Sequence, residues 1–327
     1  MFAGARFKLF PANLFAAVIL TASCGHVDPA APSDMPAATR PPHATGQVVS
    51  VASPSNGISN VVISATGAIG TRTDATGFFT LSAGPSTYAL SLTHPDFIER
   101  RTAAALPASG LHLSIIPSTF DQAAFEEFAP RSTTTGLRRW TTNPSLVVLR
   151  SVVEYDGMNY VPLVTDRQLS EADFHCMVDG VQRAIAAMSD STLTFKKVDV
   201  LSPLAGSRFS IPATAEGTIV LTAARGVQAN GRASAFVGVQ PNVLVRGVVW
   251  ITADNLSLCG STAARVFPHE LGHALGYQHV TLEPSVMSGI DPTSALTAFD
   301  REALRIIYQR PPGNRAPDID PPGYVIN

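Results

Sequence analysis

Residues 269–279 read His269-Glu270-Leu271-Gly272-His273-Ala274-Leu275-Gly276-Tyr277-Gln278-His279. On a helix, His269 and His273 are four residues apart and project from one face. Two neutral imidazoles at that spacing can share one zinc ion. Glu270 is one residue further on, which puts its carboxylate beside such an ion rather than on it. Gly276 predicts the end of the helix and a sharp turn, because glycine tolerates positive φ. The turn returns His279 as a third ligand. Three protein ligands leave the fourth tetrahedral position to water, the arrangement of a catalytic zinc site and not of a structural one. With 8 His, 9 Glu and 24 Gly in 327 residues, chance would produce His-Glu-x-x-His-x-x-Gly-x-x-His with a probability on the order of 10⁻⁵. The expected cofactor is therefore one catalytic Zn²⁺ on His269, His273 and His279. Zinc lowers the pKa of its water to about 7, and Glu270 is the expected general base.

The eleven residues resemble the zinc signature of the metzincin metalloproteases. Ser285-Val286-Met287-Ser288 resembles their Met-turn, whose methionine packs beneath the zinc ligands. Met287 follows His279 at a short spacing similar to that of the matrixins. Leu296–Tyr308 resembles the matrixin C-terminal helix: Asp300 and Tyr308 match its pattern, while Phe299 stands at the first of its paired acids. Val280 occupies a position where matrixins usually carry Ser. No Tyr lies two residues after Met287, so the tyrosine ligand of astacin- and serralysin-like enzymes is not expected. The resemblance covers Val243–Tyr308 firmly, and Leu137–Asn242 by order of elements. It implies a zinc metalloendopeptidase in which Glu270 takes a proton from water and passes it to the leaving amine. It also implies a substrate lying extended as a strand added to a sheet edge. By order, Ala233–Val239 is similar to the matrixin edge strand. The other histidines, His26, His43, His94, His112 and His175, are isolated, so no second zinc is expected.

These residues need elements to hold them. Leu146–Leu149 is a continuous apolar run that suits a buried strand. Ser170 begins a helix with Glu171 and Asp173 at its dipole-positive end. Phe174, Met177, Val181, Ile185 and Met188 give that helix one apolar face, with Gly180 as a weak point. Thr192–Val198, Thr218–Ala223, Ala233–Val239 and Val243–Thr252 are strand candidates, and Ala263–Leu275 is the motif helix. Pro268 predicts a later start or a bend in it. A sheet with helices packed on it is an α+β arrangement.

Upstream, short β-rich runs alternate with turns from Gly46 to about Pro117: Gln47–Val51, Val61–Ser64, Gly77–Leu81, Tyr88–Leu92 and Leu111–Ile116. Gly46-Gln-Val, Asn60-Val-Val-Ile, Thr73-Asp-x-x-Gly-x-Phe and Tyr88-Ala-Leu-Ser-Leu resemble carboxypeptidase regulatory-like modules, which are seven-stranded sandwiches with no chemistry of their own. His94 and His112 lie there as surface or packing residues.

The N-terminus reads as an export signal. Arg6 and Lys8 precede an apolar stretch from Leu9 to Leu20, too short to span a bilayer at about 20 residues. Leu20-Thr-Ala-Ser-Cys24 resembles a lipoprotein lipobox, with Thr21 where that box prefers Leu. This makes Cys24 the expected lipid attachment. The Pro/Ala-rich stretch that follows reads as a tether. With Cys24 acylated, Cys176 and Cys259 remain as a pair in an oxidising compartment. The helices near them pack together in metzincins, so the resemblance implies a disulfide; two separate buried thiols are the alternative.

Charged residues are 15% and the net charge is −2. No basic stripe is visible, so a nucleic-acid partner is not expected. The expected chain is multidomain: signal peptide 1–23, tether 24–45, a small all-β sandwich 46–118, an α+β metzincin-like catalytic domain 119–310 and a Pro-rich tail 311–327. The expected function is an exported, lipid-anchored zinc endopeptidase with a protein or peptide substrate and a membrane partner through its N-terminal lipid. The alternatives are an inactive metzincin-like surface binding or adhesion lipoprotein, and a zinc hydrolase of a non-peptide amide.

Overall fold

Alternating apolar and polar residues set the first strands. In Phe78–Ser82, Phe79 and Leu81 point inward while Phe78, Thr80 and Ser82 face solvent. The structure, a computed structural model, describes residues 43–155, 162–209, 216–227, 230–254 and 257–326. Its first seven strands are β1 (His43–Ser50), β2 (Val62–Ala65), β3 (Thr71–Arg72), β4 (Phe78–Ser82), β5 (Thr87–His94), β6 (Phe97–Ala105) and β7 (Ala108–Ile115). They form two sheets, β4-β1-β7 and β3-β2-β5-β6. Val48, Phe79 and Leu113 of one sheet share a core with Ile63, Leu90 and Leu92 of the other. His43–Thr45, expected to end the tether, belong to β1 and pair with β4. The expected export signal, Cys24 and the rest of the expected tether lie outside the described residues.

A short helix, α1 (Gln122–Phe128), leads to the second part, capped by Asp121 accepting from the Ala124 N–H. There follow β8 (Ser145–Leu149), β9 (Ser151–Glu154), β10 (Leu163–Gln168), α2 (Glu171–Ala187), β11 (Val198–Leu201), β12 (Thr218–Arg225), β13 (Gly231–Val237), β14 (Leu244–Thr252), α3 (Ser261–Ala274) and α4 (Ala298–Gln309). The described residues are thus mixed α+β with several sheets. The central sheet runs β11-β8-β12-β14-β13, with β9 continuing along β12 and β10 folded back on β9. β11, β8, β12 and β14 are parallel, and β13 alone of this row is antiparallel to its neighbour. β12 is buried on both faces, as a central parallel strand must be. Ile219, Leu221 and Ala223 join the core that includes α2 and α3, while Val220 and Ala224 join a separate cluster with Trp250.

Gly180 proves to be a packing site. A methyl there would sit 2.2 Å from the Phe267 ring, so the missing side chain lets α2 close on α3. Pro268 does not delay the start of α3, which runs from Ser261 to Ala274 with Pro268 inside it. The strand expected at Thr192–Val198 is not formed. Asp190 and Ser191 take positive φ, and the Ser189 hydroxyl accepts from the Leu193 N–H, so the chain reaches the sheet only at Val198. β6 does not stand out in the sequence, because Glu99-Arg100-Arg101 interrupts its apolar alternation. No helix among the described residues is long and apolar enough to cross a membrane.

A disulfide joins Cys176 on α2 to Cys259 just ahead of α3, as expected, and fits an oxidising compartment. It closes a span of 83 residues, which in the chain-entropy model contributes roughly 4–5 kcal/mol by restricting the unfolded chain. Changing both cysteines to Ala should lower the denaturation free energy by that order. A change under about 1 kcal/mol in chemical denaturation would show that the bridge adds nothing beyond the packing of α2 on α3.

The C-terminal residues are held firmly. Arg101 donates its N–H to the Asp318 carbonyl at 3.0 Å, and Ile326 donates to Ala103 at 2.8 Å, so the segment runs beside β6. At its centre Arg310, fully buried, makes paired bonds of 2.7 Å to both Asp318 oxygens. Arg100 reaches Asp320 at 3.1 Å. Arg310 and Arg100 both also donate to the Ser114 carbonyl of β7. The Pro-rich tail therefore ties the end of α4 to the first two sheets.

Candidate metal centre

Helical spacing puts His269 and His273 on one side of α3. The helix ends at Gly276, whose φ of +100° is open to glycine at little cost. The Tyr277 N–H then closes back on the Gly272 carbonyl at 2.9 Å. The Trp140 indole N–H, donating to the Ala274 carbonyl at 3.0 Å, holds this last turn from outside the helix. The turn brings His279 back to the other two.

The ring nitrogens define the protonation pattern. His269 Nδ1 lies 2.8 Å from the Val286 carbonyl, and His273 Nδ1 lies 2.7 Å from the Tyr277 carbonyl. A carbonyl only accepts, so each Nδ1 carries the proton and each Nε2 presents a lone pair. Both Nε2 atoms aim at His279 Nε2, at 3.2 and 3.1 Å. One proton on His279 Nε2 can serve only one of these contacts, and with that proton on Nδ1 instead, three lone pairs face one another. A cation shared by the three imidazoles removes the conflict, so the donor set fits a metal ion, and the group could hold one. Burial lowers the pKa of His269, and it takes His273 down to about 4, where their carbonyl contacts only partly oppose it. Both rings are thus neutral at pH 7, as ligation requires.

Glu270 lines the same cleft as the three histidines. A methyl on Gly231 of β13 would sit 2.7 Å from Glu270 Oε1, so the carboxylate lies against the start of the edge strand. Glu270 is 6% exposed, and its Oε2 has no hydrogen-bond partner. Burial pushes its carboxyl up to about 8. A buried carboxyl group with an unpartnered oxygen, lining the same cleft as the three imidazoles, is a second sign: a positive charge there would favour its ionised form.

Met287 is fully buried, with its sulfur against Gly272, one residue before His273. Its turn is held twice. Val280 donates its N–H to the Met287 carbonyl at 3.0 Å. Asp300, wholly buried, accepts from the Ser285 hydroxyl at 2.6 Å and the Val286 N–H at 3.1 Å, and completes a capping box with Thr297 at the start of α4. The backbone of Val286 in turn fixes His269. The Thr297-x-x-Asp300 spacing is a visible cap signal, but nothing local ties Asp300 to the turn before it.

A cleft of about 600 Å³ runs past the cluster, walled by β13, by Val266 and Glu270 of α3, and by Ser288–Ile290. Sequence reasoning missed Glu127 of α1, whose carboxylate accepts from the Thr281 N–H at 2.7 Å and from the Thr281 hydroxyl at 2.9 Å. No short-range signal marks it.

No protein-family model matches the chain, and no curated protein matches it. Among solved structures, metalloproteinase-II from Bacteroides fragilis is similar at 12% identity, over 73% of this chain and 91% of that one, with a TM-score of 0.31. The chemistry of the site rests on the geometry of this chain's own residues.

Proposed function

We propose that the chain is a zinc-dependent endopeptidase, exported and held at a membrane through Cys24, with a β-sandwich running from His43 to about 118 ahead of a catalytic domain over 119–310. The observation that carries this reading is the meeting of three imidazole Nε2 atoms beside a buried carboxyl group with an unpartnered oxygen at a sheet edge. His269, His273 and His279 would hold the ion. When bound, zinc supplies a water of lowered pKa and polarises a carbonyl oxygen. Glu270 accepts the proton of the attacking water and returns it to the leaving amine. Its burial keeps bulk water from competing for that proton. Among the described residues β13 pairs only with β14, which leaves its second edge open to an extended peptide by strand addition. Met287 and the Asp300-anchored turn keep His269 and His279 in place.

A peptide-library digest with and without a chelator tests this reading. Cleavage at internal bonds that a chelator stops and zinc restores is the expected result. Zinc binding without turnover would favour a binding lipoprotein, and turnover of a non-peptide amide alone would favour a different hydrolase. His279→Ala should cost more zinc affinity than the roughly 10–100-fold typical of residues that only orient a ligand, since it removes a ligand outright; an unchanged zinc stoichiometry and affinity in that variant would remove His279 from the set.

The anchoring proposal has its own test. Acyl chains contribute about 0.8 kcal/mol per buried methylene, so two or three hold a protein firmly. Cys24→Ser should leave the protein soluble or unprocessed in cell fractionation. Unchanged membrane partitioning of that variant would refute the attachment.

A further inference from the structure

We propose that Glu127 is a positioning residue for the third metal ligand, and that α1 grips the chain on both sides of His279. This rests on the reading of the three histidines as a metal site. His279 comes from a loop after the helix, not from the helix itself, and is the most exposed of the three. A ligand on a loop is only as well placed as the contacts that hold the loop.

Those contacts come largely from α1. On the upstream side, Gln278 donates its N–H to the Phe128 carbonyl at 2.9 Å. Downstream, the Glu127 carboxylate accepts from the Thr281 N–H at 2.7 Å, the Thr281 hydroxyl at 2.9 Å and the Leu282 N–H at 3.3 Å. Bonds from these donors to an ionised acceptor are stronger than neutral ones, and they hold the Glu127 carboxyl below its ordinary pKa. Phe128 also stacks on Tyr277 at 4.8 Å between ring centres, and Tyr277 is the residue whose carbonyl orients His273. The helix cannot easily yield. The Arg131 guanidinium lies over Phe125 at 4.7 Å and donates to Gln122 Oε1 at 3.0 Å and to the Pro317 carbonyl at 2.7 Å. It bonds Asn314 as well. The third ligand is therefore braced, through α1 and Arg131, against the C-terminal segment that also clasps β6.

The experiment uses the full chain and measures zinc affinity by chelator competition, with the visible absorption of the cobalt-loaded protein as a geometric readout. Residues that orient metal ligands typically contribute about 10–100-fold in affinity. Glu127→Ala should lose affinity in that range and shift the cobalt bands. Glu127→Gln keeps an oxygen for the Thr281 N–H and should recover most of both. Glu126→Ala, one residue away with no bond to this loop among the described residues, should match the wild type. If Glu127→Ala only lowers the melting temperature of the metal-free protein and leaves zinc affinity and cobalt spectrum unchanged, Glu127 is structural and the proposal fails. It fails equally if Glu126→Ala weakens zinc binding as much as Glu127→Ala does. If the wild-type chain binds neither metal, the metal reading falls first and takes this proposal with it.

Discussion

Glu270→Ala should retain one zinc per chain and lose peptide cleavage by at least about 10²–10⁴-fold, the usual contribution of general acid–base catalysis. The carboxylate faces Gly231 on the edge strand, while the three ring nitrogens turn toward one another. In the proposed mechanism Glu270 handles a proton without serving as a ligand. Removing it leaves both Nδ1-to-carbonyl bonds and the Met287 turn untouched, so the donor set persists. Elemental analysis set beside initial rates on one peptide decides the matter. Loss of zinc as complete as in His279→Ala would make Glu270 a ligand, and near wild-type turnover would remove it from the chemistry.

Asp318→Ala should destabilise the protein by about 3–5 kcal/mol, the usual cost of breaking a buried ion pair and stranding its partner. Arg310 and Asp318 are both wholly buried and joined by two bonds of 2.7 Å. Without that carboxylate, the buried guanidinium keeps direct bonds only to Ser114 among the described residues and the more distant charge of Asp320. Burial by itself would raise the Asp318 carboxyl, but Arg310 first, then Arg100 and Arg131, hold it below its ordinary value. The sign for pH follows from that direction. The contribution is complete above the unfolded carboxylate value of about 3.9, and it is lost as pH falls through the lower folded value. Chemical denaturation at pH 7 should show the full difference between wild type and variant, and the gap should narrow in acid below about pH 4. A difference under about 1 kcal/mol at pH 7 would contradict the clasp.

Much of the site was legible because it is local. Four-residue spacing sets His269 and His273 on one helix face, Gly276 makes the turn, and Ser170 caps α2. Each of these follows from backbone geometry within one or two turns of chain. Pro268 and Gly180 look like weak points by propensity, but propensity speaks of an isolated helix and here packing overrides it. Thr192–Val198 looks like a strand by composition, but the positive φ angles at Asp190 and Ser191 delay the approach to the sheet.

What the sequence determined alone was the make-up of the site: three imidazoles as the donor set, with a neighbouring carboxylate and a methionine beside them, all within about twenty residues of chain. What only the tertiary structure decided is which groups hold that set still. Glu127 meets Thr281 across 154 residues of sequence, and Arg131 meets Asn314 across 183. Arg100 and Asp320 are 220 residues apart. Such pairings carry no periodicity and no turn signal. They exist because burying the sheet faces brings distant loops together, and a polar group caught there must find a partner or bear the full cost of leaving water.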